Sequence, residues 1–158
     1  FPYTTLFRSP VRPAQALTTQ WSPDTSADDR LILEVDGWCV YAEYASVHPV
    51  SLRIAPRQRI TDLPSMTSAD RTTLAAIFVR IFGALDSLFD APLPYMMWIN
   101  QAPRTTNDWP QAWFNIEIVS PWRAPHVPRY IAGVEIASGE YFNPVDPADV
   151  ASRLRALV

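Results

Sequence analysis

Lysine is absent from this 158-residue chain: all 13 basic residues are arginines, set against 16 acidic ones for a formal net charge of −3. That balance offers no basic field to hold a nucleic-acid backbone, so no nucleic-acid partner is expected. Cysteine is nearly absent as well, and a lone Cys39 excludes an internal disulfide or a cysteine-based zinc knuckle within these residues. Histidine is limited to His48 and His126, which leaves no metal-ligand spacing. Glycine numbers only 4 against 16 prolines, and neither a P-loop nor a dinucleotide fingerprint is present. The loops are therefore stiff and proline-punctuated. No apolar run approaches the roughly 20 residues of a membrane helix, so no membrane partner and a cytoplasmic setting are expected.

What is present reads as one ordinary α+β domain with a mainly antiparallel sheet. Pro10 to Arg30 is rich in Pro, Thr, Ser and Asp and reads as a linker. Leu31 to Val35 and Trp38 to Ala42 are strands joined by the turn pair Asp36-Gly37. Val50 to Ala55 is a third strand, ended by Pro56. Thr67 or Ser68 caps the strongest helix, in which Leu74, Ile77, Phe78, Ile81, Phe82, Leu85, Leu88 and Phe89 recur at helical spacing. Gly83 within it suggests a close approach to the sheet. "YMMWINQ" and "AWFNIEIVS" are further strands; "PWRAPHVPR" is an extended connection. "YIAGVEIASGEYFNP" reads as a short strand with a turn at Gly139. A terminal helix is capped by Asp146, opens on Pro147 and turns Val150, Leu154 and Leu157 inward.

Three places hold candidate chemistry. His48-Pro49-Val50 breaks the His-Pro-His pattern of a covalent nucleotidyl carrier at its third position, and His48 reads best as a turn or sheet-edge histidine. Asn115 and Glu117 point the same way from a strand whose other face is Phe114, Ile116 and Ile118. With Asn100 and Gln101 from the neighbouring strand, they form either a solvent face or a polar ligand face. Arg129, Glu135, Glu140 and Tyr141 surround the segment at Gly139, as an ordinary surface loop or as a site where Arg clamps a phosphate and Glu takes sugar hydroxyls.

The blocks "WCVYAEYASVHPVSLRIAPRQRITDLPSMTSADRTTL", "PYMMWINQAP", "WFNIEIVSPWRAP" and "RYIAGVEIASGEYFNPVDPADVASRLR" occur in this order. Over about Leu31 to Leu157 the chain thereby resembles the C-terminal half of galactose-1-phosphate uridylyltransferases. The resemblance implies a histidine-triad-like fold of two similar halves sharing one antiparallel sheet, with one long helix and a short C-terminal helix on this half. It implies ping-pong transfer of UMP from a UDP-hexose to a hexose 1-phosphate through a histidine, which suits a phosphoramidate intermediate. That histidine belongs to the N-terminal half, so no catalytic residue is expected here and this stretch alone is expected to be inactive. The implied partners are the sugar phosphates, the N-terminal half and a second copy in a homodimer. Arg129 stands where the family has Lys; Ala132 and Val134 take backbone-contact positions, Glu135 matches, and Tyr141 falls near a family Gln. No metal or other cofactor is expected in this half, because Gly37, Asn115 and Glu117 occupy positions where some members place histidine ligands; any zinc is expected in the N-terminal half. A non-catalytic binding or assembly domain, or a sugar-nucleotide phosphorylase, are the alternatives. "FPYTTLFRS" resembles the translation of a sequencing-library adapter, so residues 1–9 are expected to lie outside the fold, 10–30 to be linker and 31–158 to be the domain.

Overall fold

The computed structural model describes residues 29–44, 46–104, 109–110 and 112–158. The expectations for residues 1–28 fall outside these. Strands β1 (Leu31–Val35) and β2 (Trp38–Ala42) form a hairpin. Its turn residues Asp36 and Gly37 have φ of 47° and 77°, the two positive values that a tight turn matched to strand twist requires. Strand β3 (Val50–Pro56) pairs with β2, and β5 (Asn115–Ser120) pairs with β3. Strand β4 (Met96–Asn100) closes the row on β5, giving a five-stranded antiparallel sheet ordered β1-β2-β3-β5-β4.

The alternation within these strands sorts residues between two faces. Trp38, Val40, Leu52, Ile54, Phe114, Ile116 and Ile118 are buried in one core cluster. Helix α1 (Ser68–Ser87) supplies Leu74, Ile77, Ile81, Ala84 and Leu85 to that cluster. Each of these leucines and isoleucines contributes roughly 1.5–3 kcal/mol on burial. Thr67 caps α1 reciprocally: its Oγ1 accepts from the Asp70 N–H at 3.1 Å, and Asp70 Oδ2 accepts from the Thr67 N–H at 2.9 Å. Phe78, Phe82 and Phe89 lie at the margin of the core, half-buried. Gly83 is exposed and a Cβ there would meet nothing within 4 Å, so the expected close approach to the sheet does not occur.

Helix α3 (Pro147–Arg155) packs on β1, β2 and β3. Asp146 caps it, accepting from the Ala148 N–H at 2.9 Å. Val150, Ala151 and Leu154 face inward, whereas Leu157 lies past the helix end and is exposed. Two segments depart from expectation. The stretch 122–128 forms a small hairpin of β6 (Trp122–Ala124) and β7 (Val127–Pro128), turned by His126 at φ 59°. The stretch expected to hold a short strand forms α2 (Gly133–Ser138) instead. Its apolar residues look strand-like, but the Glu135 side chain accepts from the Ala132 N–H and starts a helical turn. Gly139, at φ 73°, ends it in the left-handed conformation that favours glycine.

Candidate functional site

Two polar clusters stand out among the described residues. The first is organised by α2. Glu135 is only 5% exposed, and its carboxylate takes three donors: the Ala132 N–H at 2.7 Å, the Phe142 N–H at 2.8 Å and Arg129 Nη2. These two backbone N–H groups, and then Arg129, hold the carboxyl below the ordinary carboxylate value despite its burial. Arg129 is fixed in turn. Its Nε and Nη2 donate to the Phe142 carbonyl at 3.2 and 2.7 Å, and its side chain is 6% exposed. Arg129 Nη1 is buried without a hydrogen-bond partner. A buried donor left unmade is costly, and a vacant guanidinium nitrogen is what a phosphate oxygen would fill.

The other residues expected here are arranged around that pair. Ala132 uses its backbone N–H on Glu135. Val134 is exposed on α2. Glu140 is exposed, its N–H bonded to Ser138 Oγ at 3.2 Å. Tyr141, half-exposed, turns to a separate hollow shared with Tyr44 and Ser46. His48 neighbours this region: Asn143 Nδ2 donates to its carbonyl at 3.0 Å, and burial, then the Arg129 charge, push its imidazole pKa down.

The second cluster lies on the sheet face opposite α1, where the antiparallel register sets Arg53 beside both Tyr41 and Glu117. Arg53 Nη2 bonds Glu117 Oε1 at 3.0 Å and also pairs with Glu43. Asn100 Nδ2 donates to Asn115 Oδ1 at 2.9 Å and to Glu117 Oε1 at 2.8 Å. Asn100, Asn115 and Glu117 therefore do meet. Gln101 does not join them, because alternation turns its side chain away and its Oε1 accepts from the Leu63 N–H at 3.0 Å. Burial raises the Glu117 carboxyl above its ordinary value, opposed by Arg53 and reinforced by Glu43. Burial also pushes the Tyr41 phenol up to about 12. These residues do not fit a metal: among the described residues no group of at least three His, Cys, Asp or Glu side chains is gathered to hold one, and Glu117 is already engaged by a guanidinium.

Sequence reasoning missed Glu43, Arg53 and Ser51, whose Oγ donates to Glu43 Oε2 at 2.9 Å. The signal was there as a period of two: Ser51 and Arg53 alternate with Val50, Leu52 and Ile54.

Comparison with known proteins agrees with this architecture. A bacterial galactose-1-phosphate uridylyltransferase, from Thermotoga maritima, is 25% identical over 133 residues, covering 84% of this chain and 42% of the relative. The solved structure of a uridylyltransferase superposes with a TM-score of 0.74 at 22% identity, covering 82% of this chain and 41% of that one. A zinc-bound histidine triad family protein from Mycobacterium smegmatis has a TM-score of 0.53 at 14% identity, covering 91% and 89% of the two chains, which places the fold among histidine-triad-like folds. The chain spans less than half the length of the curated relatives it matches. The sequence family described as galactose-1-phosphate uridyl transferase, C-terminal domain, matches residues 14–157, and the chain belongs to that family.

Proposed function

We propose that this chain is the C-terminal part of a hexose-1-phosphate uridylyltransferase and contributes the phosphate-binding end of the sugar-phosphate site. The observation that carries this is the vacant, buried Nη1 of Arg129, on a guanidinium whose other nitrogens are fixed. UMP transfer from a UDP-hexose then runs through a histidine outside this chain. His48 is poorly suited to that step, since the adjacent positive charge and burial favour its neutral form but no acid–base partner of its ring stands among the hydrogen bonds of the described residues.

Two surfaces suit the remaining partners. Tyr95 to Ile99, along edge strand β4, are five consecutive apolar residues, each 39–52% exposed. An open apolar edge of this length invites another strand, and we assign it to the N-terminal half of the same enzyme. Tyr130, Val134, Ile136 and Phe142 are exposed around α2, and we assign them to a second copy in a homodimer. No described helix is long and apolar enough to cross a membrane. A cytoplasmic enzyme fits this reading, with any zinc held by the N-terminal half.

The test is UMP exchange between UDP-glucose and galactose 1-phosphate by the complete enzyme. Arg129→Ala is expected to raise KM for galactose 1-phosphate by about tenfold or more, the loss of a hydrogen bond to a charged group. Phosphorolysis of ADP-glucose without UMP exchange would instead make the enzyme a sugar-nucleotide phosphorylase. No activity of either kind from the complete protein would leave a binding or assembly domain.

A further inference from the structure

The polar cluster on the second sheet face is built around one atom. Glu43 and Glu117 both meet Nη2 of Arg53, Glu117 through Oε1 at 3.0 Å. The Arg53 side chain is 7% exposed and each glutamate 14%, so the three charges face one another largely out of water. Each carboxylate has one further donor: Ser51 Oγ on Glu43 Oε2 at 2.9 Å, and Asn100 Nδ2 on Glu117 Oε1 at 2.8 Å. Arg53 Nε is buried without a hydrogen-bond partner. A guanidinium frequently binds a carboxylate through two nitrogens in a planar fork. Here two carboxylates converge on a single nitrogen, the way they would share a point cation. The surrounding amides fit a cation already in place. Asn115 Nδ2 donates to the Trp113 carbonyl at 3.2 Å, which leaves its Oδ1 for Asn100. Asn100 in turn gives its NH2 group to Asn115 Oδ1 and Glu117 Oε1. A metal ion needs lone pairs on its ligands, and Asn100 offers this centre N–H groups instead.

We propose that Arg53 is the resident cation of this sheet face: its guanidinium stands between Glu43 and Glu117 in place of a metal ion, and the fold of this chain needs no divalent metal there. Asn115 and Glu117 hold positions for which the family resemblance implies histidine ligands in some members, so the same place in the sheet is served by a different cation. Strand register makes the exchange workable. Arg53 is central in β3, opposite Tyr41 on β2 and Glu117 on β5, and Glu43 follows the end of β2. A charge tethered to the chain needs no uptake from solution and no imidazole ligands. It carries a liability in return: loss of the arginine strands two carboxylates side by side in a dry setting. The inference is independent of what Arg129 binds.

The experiment is thermal melting of the 158-residue chain in EDTA and in MnCl2, a probe suited to oxygen donors, with bound metal measured by elemental analysis. The unsubstituted chain is expected to melt at the same temperature in both and to retain no metal at this face. Arg53→Met is expected to lower the melting temperature by about 10 °C, because it leaves two buried carboxylates uncompensated. Adding Glu43→Gln and Glu117→Gln to that variant is expected to restore about half of the loss or more, since the charges that required a cation are gone. If Arg53→Met alone does not fold, recovery of a cooperative melt in the triple variant supports the proposal in the same way. A triple variant that melts no higher than Arg53→Met, or fails to fold with it, overturns the cation role and makes Arg53 a packing residue. Melting of the unsubstituted chain that falls in EDTA, or bound metal that disappears in Glu117→Gln, overturns the replacement of a metal by the guanidinium.

Discussion

Glu135 and Glu117 are both largely removed from water, with side chains 6% and 14% exposed, and shifted in opposite directions. Backbone N–H donors dominate at Glu135 and favour its charged form; desolvation dominates at Glu117 and disfavours it. The stability consequences carry opposite signs. The Glu135 contribution is present above its unfolded value near 4.5 and is lost as pH falls through the lowered folded value. The Glu117 contribution is present below its unfolded value and is lost as pH rises through the raised one. Carboxyl 13C NMR should therefore place the Glu135 midpoint below 4.5 and the Glu117 midpoint above it. Glu43→Gln should bring Glu117 down by removing a neighbouring like charge; an unmoved midpoint would refute that coupling.

Helix α1 shows how far local chemistry carries an element. Its N-terminus depends on one reciprocal cap, so Thr67→Ala is expected to destabilise by about 1 kcal/mol in chemical denaturation. Gly83 is exposed in the helix interior with open space around its missing Cβ, and Gly83→Ala is expected to stabilise by up to about 1 kcal/mol. A loss in the glycine variant would show that the position needs its flexibility. The β1–β2 hairpin and both longer helices were legible for the same local reason: Asp36-Gly37, Thr67 and Asp146 act on residues within a turn of themselves. Helix α2 was not legible. Ile131, Val134 and Ile136 suggest a strand, and what overrides them is a carboxylate held by Arg129 and by Phe142 beyond the helix end.

At the scale of the molecule, the sheet is covered by helices on one face and has β4 at an edge. Helices α1 and α3 cover the face that carries Leu52, Ile54 and Ile116, while β4 leaves Met96, Met97, Trp98 and Ile99 partly exposed to water. The chain by itself is therefore expected to associate. Sedimentation should show species heavier than a monomer, and Met97→Lys, a charge placed on the exposed edge strand, should reduce them. A clean monomer with a cooperative melt would contradict the assignment of that edge to another part of the enzyme.

The amino-acid sequence by itself determined where the strands and long helices run, which of their faces are apolar, and the resemblance that led to the family. Those features are periodic or local, so neighbours in the chain suffice to specify them. Only the tertiary structure decided which polar side chains meet. Strand register brought Arg53, Glu117 and Asn100 together and sent Gln101 elsewhere. Folding of 121–142 buried Glu135 against Arg129 and left Nη1 without a hydrogen-bond partner. Whether a charged side chain is buried with a partner or left in water is set by its packed surroundings, which residues distant in the chain supply.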